Sequence, residues 1–206
     1  MKLSITLCLI LLLKIVNGQS NEANHSGKID LSTYVWKVYD SLKTKGASTL
    51  ISVERSFFGM RVLDTLGGPD LYFDIFWQIK DSAYFQELKF YSDRVIRNPV
   101  KTLHDTDIFP IVSKYYDSIK MEEILPFVIK SKRNGIDGYE PLSPIHKTTY
   151  DLLLFSKNEM TQKRFEDSYI RENFGEDLPN LNYRFNQSTK LKMLWEKLWV
   201  IIGMED

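Results

Sequence analysis

The chain has 206 residues, 27 Lys plus Arg against 27 Asp plus Glu, and no net charge at neutral pH. That balance excludes the basic surplus a nucleic-acid binder needs for phosphates, and no polybasic run suggests an anionic membrane surface. The length suits one domain or two small ones with a full apolar core.

Residues 1–18 read as a secretory signal peptide: a basic start at Lys2, an apolar stretch from Leu3 to Leu13, and small residues ending at Gly18 where cleavage is expected. Lys14 and the shortness of the apolar run argue against a retained integral membrane anchor. The single cysteine, Cys8, lies inside this segment. The secreted chain then has no disulfide and no thiol, and stability must come from packing. Residues 19–28 read as a mobile polar tail, and 29–206 as one domain with candidate halves 29–104 and 105–206. Asn24-His25-Ser26 and Asn186-Gln187-Ser188 are glycosylation sequons.

Helical periodicity dominates the rest. Leu31, Val35, Val38 and Leu42 share one helix face, ended by Gly46. Leu50, Val53, Phe57, Met60 and Leu63 continue the period until Gly67-Gly68-Pro69. Leu71, Ile75 and Ile79 predict a third helix, and Phe85, Leu88 and Val95 a fourth. Asp107 opens a helix carrying Ile108, Ile111, Val112, Tyr115 and Ile119, with Pro110 in its first turn. Met121, Ile124, Leu125 and Val128 predict another, closed by Asn134-Gly135. Ser143-Pro144 is a start signal for a helix carrying Ile145, Leu152 and Leu153. Phe165, Tyr169 and Phe174 lie on the next. Ser188 is the expected cap of a last helix with Leu191, Leu194, Leu198, Ile201 and Ile202 on one face, widened by Trp195 and Trp199. No segment alternates cleanly, so the expected class is all-α, a compact assembly of about eight to ten short amphipathic helices. The apolar runs Phe73–Trp77 and Leu152–Phe155 fit a buried strand as well as a helix.

An internal repeat is a candidate. Asp30–Lys43 (DLSTYVWKVYDSLK) and Asp107–Lys120 (DIFPIVSKYYDSIK) are identical at seven of fourteen positions, at an offset of 77. At the same offset Phe73-Asp74-Ile75 faces Tyr150-Asp151-Leu152, and Lys80 faces Lys157. Two amphipathic helices with similar ends would give the first match alone.

Catalytic motifs are missing. His25, His104 and His146 are the three histidines, and no HExxH, paired histidines or cysteine set forms a zinc site. There is no nucleophile elbow or Walker loop. Asp117 with Glu122-Glu123 could pair as glycosidase carboxylates, but solvated helix faces carry such residues routinely. Lys130–Arg133 (KSKR) complements a helix end or is a dibasic processing site. No cofactor or metal is expected, nor enzymatic activity.

Twelve Phe, eleven Tyr and four Trp first mean core, and core packing alone explains most of them, but the stripes at Phe57-Phe58, Phe76-Trp77 and Trp195–Ile202 are wide for one buried helix face. Phe57, Phe76, Trp77, Ile111, Leu125, Leu152, Trp195 and Leu198 are the candidate lining of an apolar cavity for a lipid-like or other hydrophobic ligand.

From Phe109 to His146 a family pattern emerges. Gly135, Ile136, Asp137, Tyr139, Leu142, Ile145 and His146 resemble the turn and following residues of the insect-allergen-repeat family, which includes cockroach group-one allergens, midgut microvillar proteins and nitrile-specifier proteins. Gly138 stands where that family usually has valine, and the first half of the chain matches poorly. The resemblance implies a secreted, all-helical shell around a lipid-filled cavity. The leading expectation is therefore a secreted, non-enzymatic binder of a hydrophobic small molecule. The alternative is a secreted effector of salivary, venom or parasite type that binds a host or partner protein; its mark would be a solid core with an exposed apolar patch.

Overall fold

The computed structural model describes residues 31–58, 69, 71–91, 94–104, 107–145, 147–175 and 177–203. The signal peptide, the polar tail, Asn24, Gly67-Gly68 and His146 lie outside them.

The all-α expectation is overturned. Eleven strands and four α-helices occur among the described residues. Helix α1 (Leu31–Thr44) precedes β1 (Thr49–Phe58), β2 (Leu71–Ile79) and β3 (Ser82–Phe90). Two short strands follow, β4 (Val95–Arg97) and β5 (Lys101–Leu103), then α2 (Ile108–Met121). Next come β6 (Val128–Arg133), β7 (Ile136–Pro141), β8 (Lys147–Ser156) and β9 (Glu159–Glu166). A 3₁₀ turn (Asp167–Ile170), β10 (Asn173–Phe174), β11 (Leu178–Pro179), α3 (Tyr183–Ser188) and α4 (Lys190–Gly203) complete the order.

The expected helices at Leu50–Leu63, Leu71–Ile79, Phe85–Val95 and Ile145–Leu153 are therefore mainly strands where described, and Phe165–Phe174 is split among the end of β9, the 3₁₀ turn and β10. The reason is burial on both faces. The main antiparallel sheet runs β4-β3-β2-β1-β8-β9, with β5 also on β3. Its central strands have helices above and below, so both sets of alternate side chains are apolar and the period of two disappears. What remains is a short apolar run rich in β-branched and aromatic residues, which is strand material. Residues 122–127, expected to be helical, are extended, and Thr189 caps α4 instead of Ser188: the Lys192 N–H donates to Thr189 Oγ1 at 3.1 Å.

One sheet face carries Leu50, Phe73, Ile75, Trp77, Leu88 and Phe155 against Tyr39 and Leu42 of α1. The other carries Ile51, Val53, Phe76, Phe85, Leu152 and Leu154 against α2 and α4.

The 77-residue offset recurs in three dimensions. It maps α1 onto α2 end for end and the β2–β3 hairpin onto β8–β9. The hairpins close at equivalent pairs, Ile79↔Ser82 and Ser156↔Glu159, and their first turn residues, Lys80 and Lys157, share φ values of 53° and 52°. β1 lies between the two hairpins. Val53 opposes Asp74 on one side and Leu152 on the other. The offset equivalent of Leu152 is Ile75, one residue past Asp74. One step of register turns every side chain over, so the second hairpin offers its apolar side to the opposite face, and α2 covers that face while α1 covers the first.

The strand equivalent to β1 is β6, and it is not in the main sheet; β1 holds the place beside β8 that β6 would take by analogy. A buried tyrosine records the consequence. Tyr39 Oη meets Ser52 Oγ of β1 at 2.5 Å. Its equivalent, Tyr116, is equally buried, but Ile129 stands at the position of Ser52, and the Tyr116 hydroxyl has no hydrogen-bond partner among the described residues. We expect Tyr39→Phe to cost about 1 kcal/mol and Tyr116→Phe to cost nothing or stabilise slightly, read as urea midpoints.

Candidate interaction site

The eight residues expected to line one cavity do not share a space. Phe76, Leu152, Trp195 and Leu198 are packed between the sheet and α4, and Ile111 borders that core. Trp77 is on the opposite sheet face, stacked on Tyr84 at 5.5 Å. Phe57 is exposed beside Tyr72, and Leu125 is half-buried in the extended segment after α2.

The candidate chemical groups are spent on structure. Asp117 pairs with Lys157 at 3.1 Å on the surface. Glu122 accepts the Leu191 N–H at 2.8 Å, at the start of α4. His104 is exposed, and no cluster of metal-ligating side chains occurs among the described residues. At Glu54 burial first, then the Asp151 charge, raise the carboxyl above the ordinary 4.5, while Arg164 pulls the other way. Arg164 is itself committed to Asp151, with Nε at 2.9 and 2.8 Å from the two carboxylate oxygens.

The unusual surface is the β6–β7 hairpin. Asn134 and Gly135 have φ of 53° and 81°, the left-handed pair that a tight two-residue hairpin turn needs, and Arg133↔Ile136 closes it. Among the described residues the two strands pair only with each other, as a separate sheet. On one face Lys130 pairs with Asp137 at 3.4 Å beside Tyr139. On the other, Arg133 lies 3.9 Å from Glu140, with Ile136 and Gly138 alternating between them. Ile136 and Tyr139, on opposite faces, are 75% and 74% exposed. Gly138 leaves a hollow, and an open depression of about 340 Å³ runs along the hairpin past Ser131, Arg133, Ile136 and Tyr139.

The hairpin root is rigidly held. Phe127 is fully buried and meets Phe174 edge-on at 6.4 Å. Backbone bonds join Leu142 N–H to Phe127 O at 2.8 Å and Leu181 N–H to Val128 O at 2.9 Å. Asn180 clamps this corner: its amide nitrogen donates to Tyr169 O and Arg171 O, and its oxygen accepts from Asn182 N–H at 3.0 Å. Asn186 does the same one layer deeper, bonding both backbone groups of Leu125 and Tyr169 O. Around the root Phe174, Leu178, Leu181 and Phe185 are exposed. This end of the molecule thus gathers exposed apolar side chains on a well-anchored base.

The sequence reading placed Asn134-Gly135 at a helix end. Asn-Gly between two β-prone runs is instead the usual mark of a tight hairpin, and that signal was present. Gly135, Ile136, Asp137 and Tyr139, which carry the family resemblance, form the turn and β7. No protein-family model, curated protein or solved structure matches the chain.

Proposed function

We propose that the chain is a secreted, non-catalytic protein that works by binding another protein, with the β6–β7 hairpin and its apolar surround as the contact. The partner contributes an extended strand to the outer edge of β7, in the manner of strand addition. The observation that carries this reading is a two-stranded hairpin standing alone with apolar side chains exposed on both faces. Such a hairpin is only marginally stable in water by itself. A third strand would pair the open edge of β7 and cover Ile136 and Tyr139 from either side. The other long edge, β9, is guarded differently: Glu159, Lys163, Arg164 and Glu166 punctuate it. Enclosure of a lipid is less well supported, because it needs its lining residues around one space.

The test places a photo-crosslinking residue at Tyr139 and, as a control, at exposed Trp36 on α1. A discrete protein adduct from position 139 alone is expected. With that partner purified, Ile136→Lys with Tyr139→Lys should weaken binding at least tenfold, about 1.4 kcal/mol, while Trp36→Ala leaves it unchanged. Adducts from both positions alike, or an extractable lipid mass with no adduct, would overturn the reading.

A further inference from the structure

The chain contains two adjacent basic pairs, Lys132-Arg133 and Lys163-Arg164. In sequence they are equivalent substrates for an endoprotease that requires paired basic residues. Their surroundings differ in every respect that governs cleavage.

Lys163-Arg164 lies in β9, within the main sheet. Lys163 Nζ donates to Lys120 O at 2.8 Å and Glu122 O at 2.6 Å, the end of α2. Arg164 is bound to both oxygens of Asp151. To enter a protease cleft in extended form, this pair must leave the β8–β9 ladder and uncover Phe165, which is 1% exposed in the core. That is close to global unfolding.

Lys132-Arg133 closes β6 at the tip of the isolated hairpin, directly before the Asn134-Gly135 turn. The Arg133 side chain is 84% exposed, and its contact with Glu140 is at the 3.9 Å limit of an ion pair. Lys132 is exposed as well. Opening the last pairs, Lys132↔Asp137 and Arg133↔Ile136, exposes no buried side chain, since all four are already in solvent. Local opening here is therefore cheap, and cleavage of an opened segment follows its open population.

We propose that Arg133–Asn134 is a processing site for a paired-basic endoprotease, and that the cut product remains one folded particle. Water adds across the peptide bond: the Arg133 carbonyl becomes a carboxylate, and Asn134 leaves with a new α-amino group. The first piece keeps α1, β1 to β6 and α2; the second keeps β7 to β11, α3 and α4. Across the cut, β1 pairs with β8 at nine positions, and α2 shares one buried cluster with α4. These contacts hold the pieces together without a disulfide. The inference stands apart from the protein-binding proposal, since it needs only the exposure of the tip and the burial of the β1–β8 seam.

The experiment uses the whole protein and a paired-basic endoprotease, at a concentration that cuts a free peptide of residues 130–137 within minutes. Intact-mass analysis should show one first cut, after Arg133, at least about tenfold faster than any cut after Arg164. The two pieces should co-elute in native gel filtration and separate in guanidinium. Lys132→Ala with Arg133→Ala, both solvent-exposed changes, should abolish that cut and leave the melting temperature unchanged. First cleavage elsewhere, resistance of the intact protein, or pieces that separate without denaturant would each overturn the proposal.

Discussion

Replacing Asn186 by alanine should lower the unfolding free energy by about 3 kcal/mol, an effect as large as emptying a buried aromatic site. Asn186 is fully buried in α3. Its Oδ1 accepts the Leu125 N–H at 2.8 Å, and its Nδ2 donates to Leu125 O at 2.9 Å and Tyr169 O at 2.8 Å. The segment after α2 is extended, so Leu125 has no helical or ladder partner for these two groups. The amide supplies what secondary structure does not. Alanine would leave the Leu125 N–H and C=O without partners, each costing about 1–3 kcal/mol before relaxation or water entry, while Tyr169 O keeps the Asn180 amide. Asn186→Gln retains the amide but adds a methylene with no room, and should be nearly as costly. Chemical denaturation of the three proteins measures this; a loss under about 1 kcal/mol for alanine would mean the network is dispensable. The same geometry bears on the sequon. A glycan at Nδ2 replaces one of the two hydrogens that bond Leu125 and Tyr169, and it must emerge from a site with no exposed surface. The folded protein should therefore carry no sugar at Asn186, which peptide mapping would show. Asn24 lies outside the described residues.

Arg55→Met should cost about 3–5 kcal/mol at neutral pH, the penalty for breaking a buried ion cluster from one side. Arg55 Nε lies 2.8 Å from Asp74 and Nη2 lies 3.1 Å from Glu87, and all three side chains are buried. They sit on the α2–α4 face of β1, β2 and β3, beyond the apolar core. Tyr72 lies 4.7 Å from the guanidinium. Asn98 donates to the second Glu87 oxygen at 2.6 Å, and Lys89 approaches that oxygen at 3.3 Å. Methionine preserves the side-chain length but leaves two carboxylates facing each other with their central cation gone. A surface control separates burial from mere pairing. Lys120 and Glu159 are close, at 2.7 Å, yet each is about half exposed. Lys120→Met should leave the unfolding midpoint almost unchanged. Equal losses at the two sites would mean that burial of the Arg55 cluster carries no special weight.

Both expectations depend on features that local sequence could not reveal. Asn186 read as a sequon in a loop, because nothing near it in the chain signals that its partners lie at Leu125 and Tyr169. Arg55 lies in a segment expected to be helical, and its partners Asp74 and Glu87 are far from it in the chain. Only the pairing of β1 with β2, and β2 with β3, brings Val53↔Asp74 and Asp74↔Glu87 side by side. The candidate lining residues are parted for the same reason. A helix would have put Phe76 and Trp77 on one broad face, whereas a strand sends them to opposite sides of the sheet. The exposed hairpin was within reach, because Asn134-Gly135 is a turn signature in its own right.

By itself the sequence determined the helices that act alone: α1, α2 and α4, whose single apolar faces follow the 3.6-residue period because each meets the sheet from one side. It also carried the 77-residue offset at which helices and hairpins recur, because the similar residues at equivalent turns and helix faces are visible in the chain itself. Tertiary structure alone decided the sheet. The β1–β8 seam joins residues about a hundred positions apart, and burial on both faces erases the alternation that would have announced those strands. It decided, too, that β1 would serve both hairpins and that β6 would stand apart. β6 carries Lys130, Lys132 and Arg133, and a central strand with those charges would have to bury them without partners on either face.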